Sequence, residues 1–537
     1  MTPELIKRSV REATDEDSHP LSPKIPTIKI LIYTDDPAIV KKNDINLFGL
    51  GEMLKHLRGH APTFADMPVE FVSRSENHHA DHKLDTVLAQ DTYDQIWFFG
   101  IHQANKKDFT LGIPEGGGPE SELDENEVAK LEEWMRSGGT EATRGGGVLM
   151  TGDHANERPT GLLPSLNVRC PSDPTDEFLG LGRALGRCVP RAGLLRKWEG
   201  PPTRRSVDNV NTQVLTTSSS IDLPFLQFDK VPQRIIPIHF NEQGEPDENG
   251  RPHPLFLDKN GRGIDVFPDH MHEGEVTIPK DFDPTVWPQG ARSQPKPQAV
   301  AYGTNKRNGE RITLVAAYDG DNAGVGRIVS DSTWHHYFNI NLTSFPHTEN
   351  ENPIAEQIGQ FYANLAMWLS PLAKRREMAE VMFWWLARHP TMVEEVGSDV
   401  MSIGQTAYRV LSQAASACEI HELLQAACPQ DLRQQYEMLY FPSTVSILSS
   451  LPSKERILGS IIAEYHKVLV RKPEGIGGFE APSSIIERGF SEAIFAKAER
   501  VASTAVQALD NFQFLPQTEH SRKKLAITQI LNSLRTD

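Results

Sequence analysis

The sequence predicts an α/β protein with a mostly parallel sheet, followed by an all-α C-terminal domain. In the first part of the chain, short apolar runs that stop at turn residues alternate with amphipathic helical segments. This alternation is typical of a parallel sheet covered by helices on both faces. A stretch rich in Pro, Gly, Asn and Asp interrupts it at about residues 190–295. After Pro371, helical periodicity continues with few strand signals.

These signals divide the chain into three parts. Residues 1–25 are charged and contain prolines, so we expect a disordered lead-in. Residues 26–370 are predicted to form the α/β domain, and residues of about 190–295 are predicted to form an irregular lobe inserted into it. Residues 371–537 are predicted to form a separate helical domain that folds on its own.

The elements of the α/β domain follow from local patterns. Predicted strands are Ile28–Tyr33, Val69–Val72, Tyr93–Phe99, the apolar run that stops at Gly152, Ala299–Tyr302, Arg311–Ala317 and Gly326–Asp331. Predicted helices are the segment with Leu47, Leu50, Leu54 and Leu57 on one face, then Glu122–Arg136 and Glu356–Leu369. Asn43 or Asp44 is a candidate cap for the first helix, and Gly138 ends the second one.

Composition excludes several classes of function. The chain has 55 basic and 72 acidic residues, which gives a net charge of -17 and argues against a general nucleic-acid binder. We find no apolar run long enough to span a membrane and no signal peptide at the N-terminus, so we expect a cytoplasmic protein. The four cysteines form no CxxC pair, which argues against a zinc knuckle.

The most informative stretch is Gly145–Glu157. Three glycines precede a short apolar run that ends abruptly at Gly152-Asp153-His154. A buried parallel strand has this pattern, and open α/β sheets bind ligands at the carboxyl ends of their strands. We therefore expect Asp153 and His154 to line the main crevice and to form the centre of the functional site.

Further histidines and acidic residues are predicted to converge on this centre. His102 follows the third predicted strand and Asp35 follows the first. The segment Asp331–His336 begins at the end of the last predicted strand. The carboxyl ends of parallel strands meet at one edge of the sheet, so these residues should approach Asp153. The segment Asp265–Glu275 of the inserted lobe, dense in both residue types, is expected to close over them.

These residue types suggest two kinds of chemistry. We assign catalysis to Asp153, His154, Glu273 and Asp331, ligand binding to His102, Asp35, Thr333 and His335, and metal binding to His154, His270, His272 and His336. Imidazole and carboxylate ligands suit a divalent metal such as Zn or Mn, and two histidines at i, i+2 face one side of an extended segment. The alternative is acid–base catalysis by a histidine that an acidic residue orients.

A structural role is the competing interpretation for each histidine. A lone residue such as His102 can simply hold a hydrogen bond in the core. His335 and His336 are adjacent, so on a strand they would point to opposite faces, and one of them would then be structural.

Three motifs resemble those of a known superfamily. They are Tyr93-Asp-Gln-Ile-Trp-Phe-Phe-Gly100, a helix that ends at Gly138-Gly139, and Gly145-Gly-Gly-Val-Leu. Together they resemble the class I glutamine amidotransferase-like superfamily, and most closely its trehalose-utilisation (ThuA-like) group. In that group a glycine-rich turn leads into a strand that ends at a histidine, to which His154 would correspond. The resemblance covers roughly residues 26–370 and implies a flavodoxin-like sheet and a carbohydrate-derived ligand.

The chain departs from this superfamily at the nucleophile. A working glutaminase of this kind carries a cysteine at the strand–helix turn, because a thiolate must attack the amide. The corresponding turn here is Gly152-Asp153-His154, and the next cysteine is Cys170. Cysteine-dependent glutamine hydrolysis is therefore not expected.

Two functions remain from the sequence. The first is a hydrolase or related enzyme that acts on a small polar molecule through the Asp153 and His154 cluster, with or without a divalent metal. The second is a non-catalytic module, in which an inactive amidotransferase-like fold binds a ligand or partner. In the second case the helical region would transmit the binding event or assemble the protein, and a homo-oligomer formed through the helical region is a further expectation.

Overall fold

The computed structural model describes a large part of the chain. It describes residues 3–14, 22–34, 49–73, 79–90, 92–99, 123–136, 146–151, 195–197, 233–241, 246–268, 275–277, 297–304, 311–321, 325–332, 334–342, 353–429, 453–470 and 481–511.

Strands and helices in these ranges are numbered in chain order. The strands are β1 (Ile30–Thr34), β2 (Val69–Ser73), β3 (Gln95–Phe99), β4 (Gly147–Thr151), β5 (Leu195–Lys197), β6 (Gln233–Arg234), β7 (Ile236–Pro237), β8 (His239–Phe240), β9 (Arg251–Pro252), β10 (Val266–Phe267), β11 (Glu275–Thr277), β12 (Gln298–Thr304), β13 (Arg311–Tyr318) and β14 (Ile328–Asp331). The α-helices are α1 (Pro3–Thr14), α2 (Gly51–Gly59), α3 (Leu84–Gln90), α4 (Glu125–Arg136), α5 (Asn339–Leu342), α6 (Pro353–Trp368), α7 (Leu372–Arg388), α8 (Pro390–Val393), α9 (Val400–Ala414), α10 (Ala417–Ala427), α11 (Lys454–Val470) and α12 (Pro482–Asn511).

An eight-stranded sheet forms the centre of the molecule, with the order β2-β1-β3-β4-β14-β13-β12-β7. The first five strands in this order run parallel, and β13, β12 and β7 extend the sheet in antiparallel fashion. The mostly parallel sheet and the helical C-terminal region confirm the predicted α/β class with an all-α extension.

Helices cover both faces of this sheet because successive side chains of each strand point to opposite sides. On β1, Ile30 and Ile32 join a core that includes helices α2 and α6. Leu31 and Tyr33 join a second core that includes helices α3 and α4. All four side chains are fully buried, which explains why β1 reads as a continuous apolar run rather than an alternating one.

The N-terminus differs from the expected disordered lead-in, because residues 3–14 form helix α1. Ile6 and Val10 lie four residues apart and are buried, so the charged residues of this stretch take the other faces of the helix. The indole Nε1 of Trp384, in the helical region, donates a hydrogen bond to the carbonyl of Ala13 at 3.0 Å. The aromatic run around Trp384 thus has its partner in α1.

The described parts of the inserted stretch contribute to the sheet and to the cores on its faces. Strand β7 pairs with β12 as the last strand of the sheet. Phe256 and Phe267 lie in the same core as α6, with ring centroids 5.3 and 4.7 Å from that of Phe361. Among the described residues this stretch therefore extends the sheet, and it contributes Phe256 and Phe267 to the core on one face and Val276 to the core on the other.

Two similar turns explain how a Gly-, Asn- and Asp-rich sequence becomes ordered there. In each Asp-Xaa-Asn-Gly turn, the aspartate Oδ1 accepts a hydrogen bond from the amide of the asparagine at 2.9 Å: from Asn249 to Asp247, and from Asn260 to Asp258. The side chain thereby closes the turn that the backbone starts. Gly261 has a φ of +84°, which favours glycine at that position.

None of the helices in the described ranges is long and apolar enough to cross a membrane.

Candidate functional site

The candidate site lies at the carboxyl end of strand β14. Asp331 is the last residue of β14, in register with Thr151 at the end of the parallel neighbour β4. Its side chain is fully buried. Asp331 therefore occupies the edge of the sheet at which parallel α/β folds bind ligands.

Both carboxylate oxygens of Asp331 accept hydrogen bonds. Its Oδ1 lies 2.8 Å from Nδ1 of His336, and its Oδ2 accepts a hydrogen bond from the hydroxyl of Tyr337 at 2.9 Å. Burial, and secondarily the charge of Asp331, holds the pKa of Tyr337 well above its usual value. The phenol therefore keeps its proton and acts as a donor to the carboxylate.

Asp331 fixes the orientation and the tautomer of His336. A proton on Nδ1 satisfies the carboxylate, which places the lone pair of the neutral ring on Nε2. The hydroxyl of Tyr362 donates a hydrogen bond to the backbone carbonyl of His336 at 2.6 Å, which holds the main chain as well. This arrangement is found at histidines that ligate metals or act as bases, and also at histidines that are purely structural.

A short 3-10 helix places both donors next to Asp331. Residues Trp334–Tyr337 form this helix shortly after the end of β14. The sequence had suggested a strand for this segment. The tight turn brings the consecutive residues His336 and Tyr337 back to the end of the strand that precedes them. Their adjacency therefore does not separate them onto opposite faces of a sheet.

Aromatic rings enclose the pair. The ring of Phe267 lies 4.6 Å from that of His336, and the ring of Tyr337 lies 5.1 Å from Phe99 and 5.5 Å from Tyr362. His336 has no exposed surface. This apolar enclosure strengthens the hydrogen bonds to Asp331, because the local dielectric is low.

The structure brings two of the predicted site residues together, Asp331 and His336. The backbone of His335 lies in the 3-10 helix. The remaining predicted residues fall outside the described residues: Asp35, His102, Asp153, His154, His270, His272, Glu273 and Thr333.

The sequence interpretation missed three residues of the site. Tyr337 follows His336 directly, so its position beside a candidate histidine was the available signal. Tyr362 comes from helix α6, where its pattern indicates only a buried helix face. Phe267 ends β10 and lies inside the predicted segment Asp265–Glu275, of which only the histidines and acidic residues were considered as site residues.

Within the described ranges, no group of three or more His, Cys, Asp and Glu side chains is arranged to hold a metal ion. In the Asp331 and His336 pair, the carboxylate orients the ring through Nδ1, and Nε2 is the ring nitrogen on the opposite side. A complete metal site would need ligands from elsewhere in the chain.

A comparison of the chain with protein-family models, with curated proteins and with solved structures finds no match in any of the three.

Proposed function

We propose that the chain is a hydrolase or a related enzyme that acts on a small polar molecule at the carboxyl edge of its sheet. His336 is the acid–base group or metal ligand in this proposal, and Asp331 is the residue that positions it. The observation that carries the proposal is the 2.8 Å hydrogen bond between these two side chains at the end of β14. A carboxylate on one imidazole nitrogen raises the basicity of the other.

The strand order supports a flavodoxin-like sheet. The parallel strands follow the order β2-β1-β3-β4-β14, which corresponds to the 2-1-3-4-5 order of that fold. Ligands of such sheets bind where the order reverses, here between β1 and β3, outside the carboxyl ends of the strands. Asp35 follows β1 and His102 follows β3 in sequence, so both are candidates for ligand contacts. The amidotransferase-like relationship, with a carbohydrate-derived substrate, rests on the sequence motifs alone.

We propose that the rest of the site comes from two segments. One follows β4, the strand next to Asp331, and the other follows Phe267, which contacts His336. Asp153 and His154 follow β4, whose end is in register with Asp331. His270, His272 and Glu273 follow Phe267, whose ring contacts His336. We propose that His154, His270 and His272 join His336 at a divalent metal, Zn or Mn. Asp153 and Glu273 would then transfer protons, and Thr333 and His335 would contact the substrate.

The described ends of the segment 268–275 support its role. Phe267 belongs to the core on one face of the sheet, and Val276 belongs to the core on the other face. Phe267 lies against His336 at the carboxyl edge of the sheet, so we propose that Asp269, His270, His272 and Glu273, which follow it in sequence, belong to the site.

A second candidate function is a non-catalytic module. Complete burial of Asp331 and His336, with both carboxylate oxygens hydrogen-bonded, favours it. In that case the pair joins β14, the 3-10 helix and α6, and a ligand or partner binds elsewhere. The two functions differ in whether His336 is needed only for stability or also for binding and turnover.

The test compares metal affinity and turnover in matched variants. Metal-stripped full-length protein is titrated calorimetrically with Zn²⁺ and with Mn²⁺, and hydrolysis of a panel of nitrophenyl esters and glycosides is measured. We expect His336→Gln and His154→Gln to abolish metal binding, and Asp331→Asn to weaken it by about 10–100-fold. His239→Gln, at a half-buried histidine of β8, is the control.

Two outcomes distinguish metal-dependent catalysis from acid–base catalysis without a metal, and the enzyme from the non-catalytic module. Equal metal affinity in all variants, together with turnover that depends on His336, would leave acid–base catalysis without a metal. Folded variants that keep both the metal affinity and every turnover rate of the wild type would reject the enzyme and favour the module.

A further inference from the structure

A histidine at the other end of the carboxyl edge also has a fixed ring orientation. His82 is the last residue of a short 3-10 helix, His79–His82, which precedes α3. Its Nδ1 lies 3.0 Å from the backbone carbonyl oxygen of Ser73, the last residue of β2. A carbonyl oxygen only accepts hydrogen bonds, so Nδ1 carries the proton and the lone pair of the neutral ring lies on Nε2.

The main chain of His82 is held at the ends of two parallel strands. The hydroxyl of Tyr33, on β1, donates a hydrogen bond to the carbonyl of His82 at 2.9 Å. Strands β1 and β2 end in register, with Thr34 beside Ser73. His82 therefore lies at the edge of the sheet at which parallel α/β folds bind ligands. Among the described residues its Nε2 makes no hydrogen bond, and the residue is partly exposed.

Residue His79, at the start of the same 3-10 helix, lies on the same face as His82. A 3-10 helix has three residues per turn, so residues i and i+3 are eclipsed. Two imidazoles one turn apart can chelate a single divalent metal such as Zn²⁺ or Ni²⁺. Metal-binding histidines are usually oriented by a hydrogen bond from their second ring nitrogen, and a backbone carbonyl such as that of Ser73 is a common acceptor.

The charges around this helix favour a cation. Asp81 is exposed next to His82. Lys83 follows His82 and pairs with Asp124 at 2.6 Å. Glu127, on α4, accepts a hydrogen bond from the first amide of α3 at 2.9 Å. These three carboxylates outnumber the lysine among them, and the excess of negative charge attracts a metal ion rather than an anion.

We propose that His79 and His82 form a divalent-metal site that is separate from the Asp331 and His336 pair. Zinc takes about four ligands, so water or a bound molecule completes the coordination. Three strands separate β2 from β14 in the sheet. The two places also lie on opposite faces, since Tyr33 belongs to the core with α3 and α4, and Tyr337 to the core with α2 and α6.

Modification of histidines with diethyl pyrocarbonate, measured residue by residue by mass spectrometry, tests the proposal on the full-length protein. The reagent acylates an accessible, unprotonated imidazole nitrogen, so Nε2 of His82 should react in the metal-free protein. We expect Zn²⁺ to protect His79 and His82 at a concentration at least about tenfold lower than the one that protects His239, a partly exposed histidine of β8.

Two variants distinguish the chelate from a single histidine and from the site of the proposed function. His79→Gln should raise the Zn²⁺ concentration that half-protects His82 by at least about tenfold, because only one imidazole remains. His154→Gln should leave that concentration unchanged. Calorimetry of the wild-type protein should accordingly show two binding events, of which His154→Gln removes only one.

Three results would each overturn the proposal. The first is protection of His82 only at the Zn²⁺ concentration that protects His239. The second is protection of His82 that is unchanged in His79→Gln or that is lost in His154→Gln. The third is a His82 that does not react in the metal-free protein, because its Nε2 would then not be accessible to a metal.

Discussion

Arg327 and Glu422 form a buried ion pair, with Nη1 of the guanidinium 2.5 Å from Oε2 of the carboxylate, although 95 residues separate them. Arg327 immediately precedes β14, and Glu422 lies in helix α10. The same Oε2 accepts a hydrogen bond from Arg375 at 2.7 Å, and Gln425 accepts one from each arginine. Asp321 is a partner of both arginines, and Asp319 is a further partner of Arg327. The sheet and the helical region therefore share a set of buried charges.

Removal of Glu422 should be strongly destabilising. In Glu422→Ala, two buried guanidinium groups lose one of the two carboxylates that they share, and breaking a buried pair in this way costs about 3–5 kcal/mol. The free energy of unfolding is measured by urea titration. Glu394→Ala, an exposed glutamate of the helical region, is the control and should change stability by less than about 0.5 kcal/mol. A cost in Glu422→Ala as small as in the control would contradict this account of the network.

A chain that ends at residue 371 should not fold cooperatively. It lacks Arg375 and Glu422, so Arg327 loses Glu422 and Gln425 as partners, and it also lacks the helix with which α1 makes its hydrogen bonds. This outcome is the reverse of the independence predicted from the change in sequence pattern after Pro371. Unfolding of the 1–371 chain is followed by circular dichroism, alone and after co-expression with residues 372–537. A sharp, reversible unfolding transition of the 1–371 chain alone would instead support the prediction that the two regions fold independently.

The sheet was predictable because its signals are local. Buried parallel strands such as β1 and β4 give short apolar runs that end at turn residues, and the sequence interpretation located both. Helix α1 was missed because its amphipathic pattern is short and lies among many charged residues. The buried ion network was unpredictable for a different reason. Nothing in the sequence around Arg327 indicates a partner that lies 95 residues away.

The candidate site was predictable in part. The polar end of an apolar strand identified Asp331, and proximity in sequence identified His336. Tyr362 depends on the packing of α6 against the sheet, which residue spacing does not encode. The 3-10 helix after β14 was also not anticipated, since Trp334 and Tyr337 are of types that favour strands, and tertiary packing overrides such preferences.

The hydroxyl of Tyr337 should contribute more to stability than that of Tyr362. Tyr337→Phe removes a donor from the buried carboxylate of Asp331, where such bonds contribute about 1.5–3 kcal/mol. Tyr362→Phe removes a donor from a neutral carbonyl, where the usual contribution is about 1 kcal/mol. Urea unfolding of both variants measures the difference. Tyr302→Phe, whose hydroxyl makes no hydrogen bond among the described residues, is the control, and a reversed order would contradict the assignment.

The last prediction compares two histidines that each precede a proline and cap a short helix in the same way, but that differ in burial. Nδ1 of His253 accepts a hydrogen bond from the amide of Leu255, and Nδ1 of His389 accepts one from the amide of Thr391, both at 3.3 Å. Burial, and then the charge of Arg327, lowers the pKa of His253 from 6.5 to about 3. Burial also lowers the pKa of His389, but that ring is far less enclosed.

Because His253 is buried, the free energy of unfolding should fall as the solution becomes acidic. A histidine whose pKa is depressed by folding stabilises the protein above pH 6.5, and this stabilisation is lost as the pH falls towards 3. For His253 the loss between pH 7 and pH 5 is about 2 kcal/mol. His253→Asn keeps a hydrogen-bond acceptor for the helix cap and removes the titrating group. The change in the free energy of unfolding between pH 7 and pH 5 should therefore be smaller by that amount. Any loss of packing in the variant lowers stability equally at both pH values. His389→Asn should change the pH dependence much less, because solvent screens that ring, and equal slopes in the two variants would mean that burial does not set the difference.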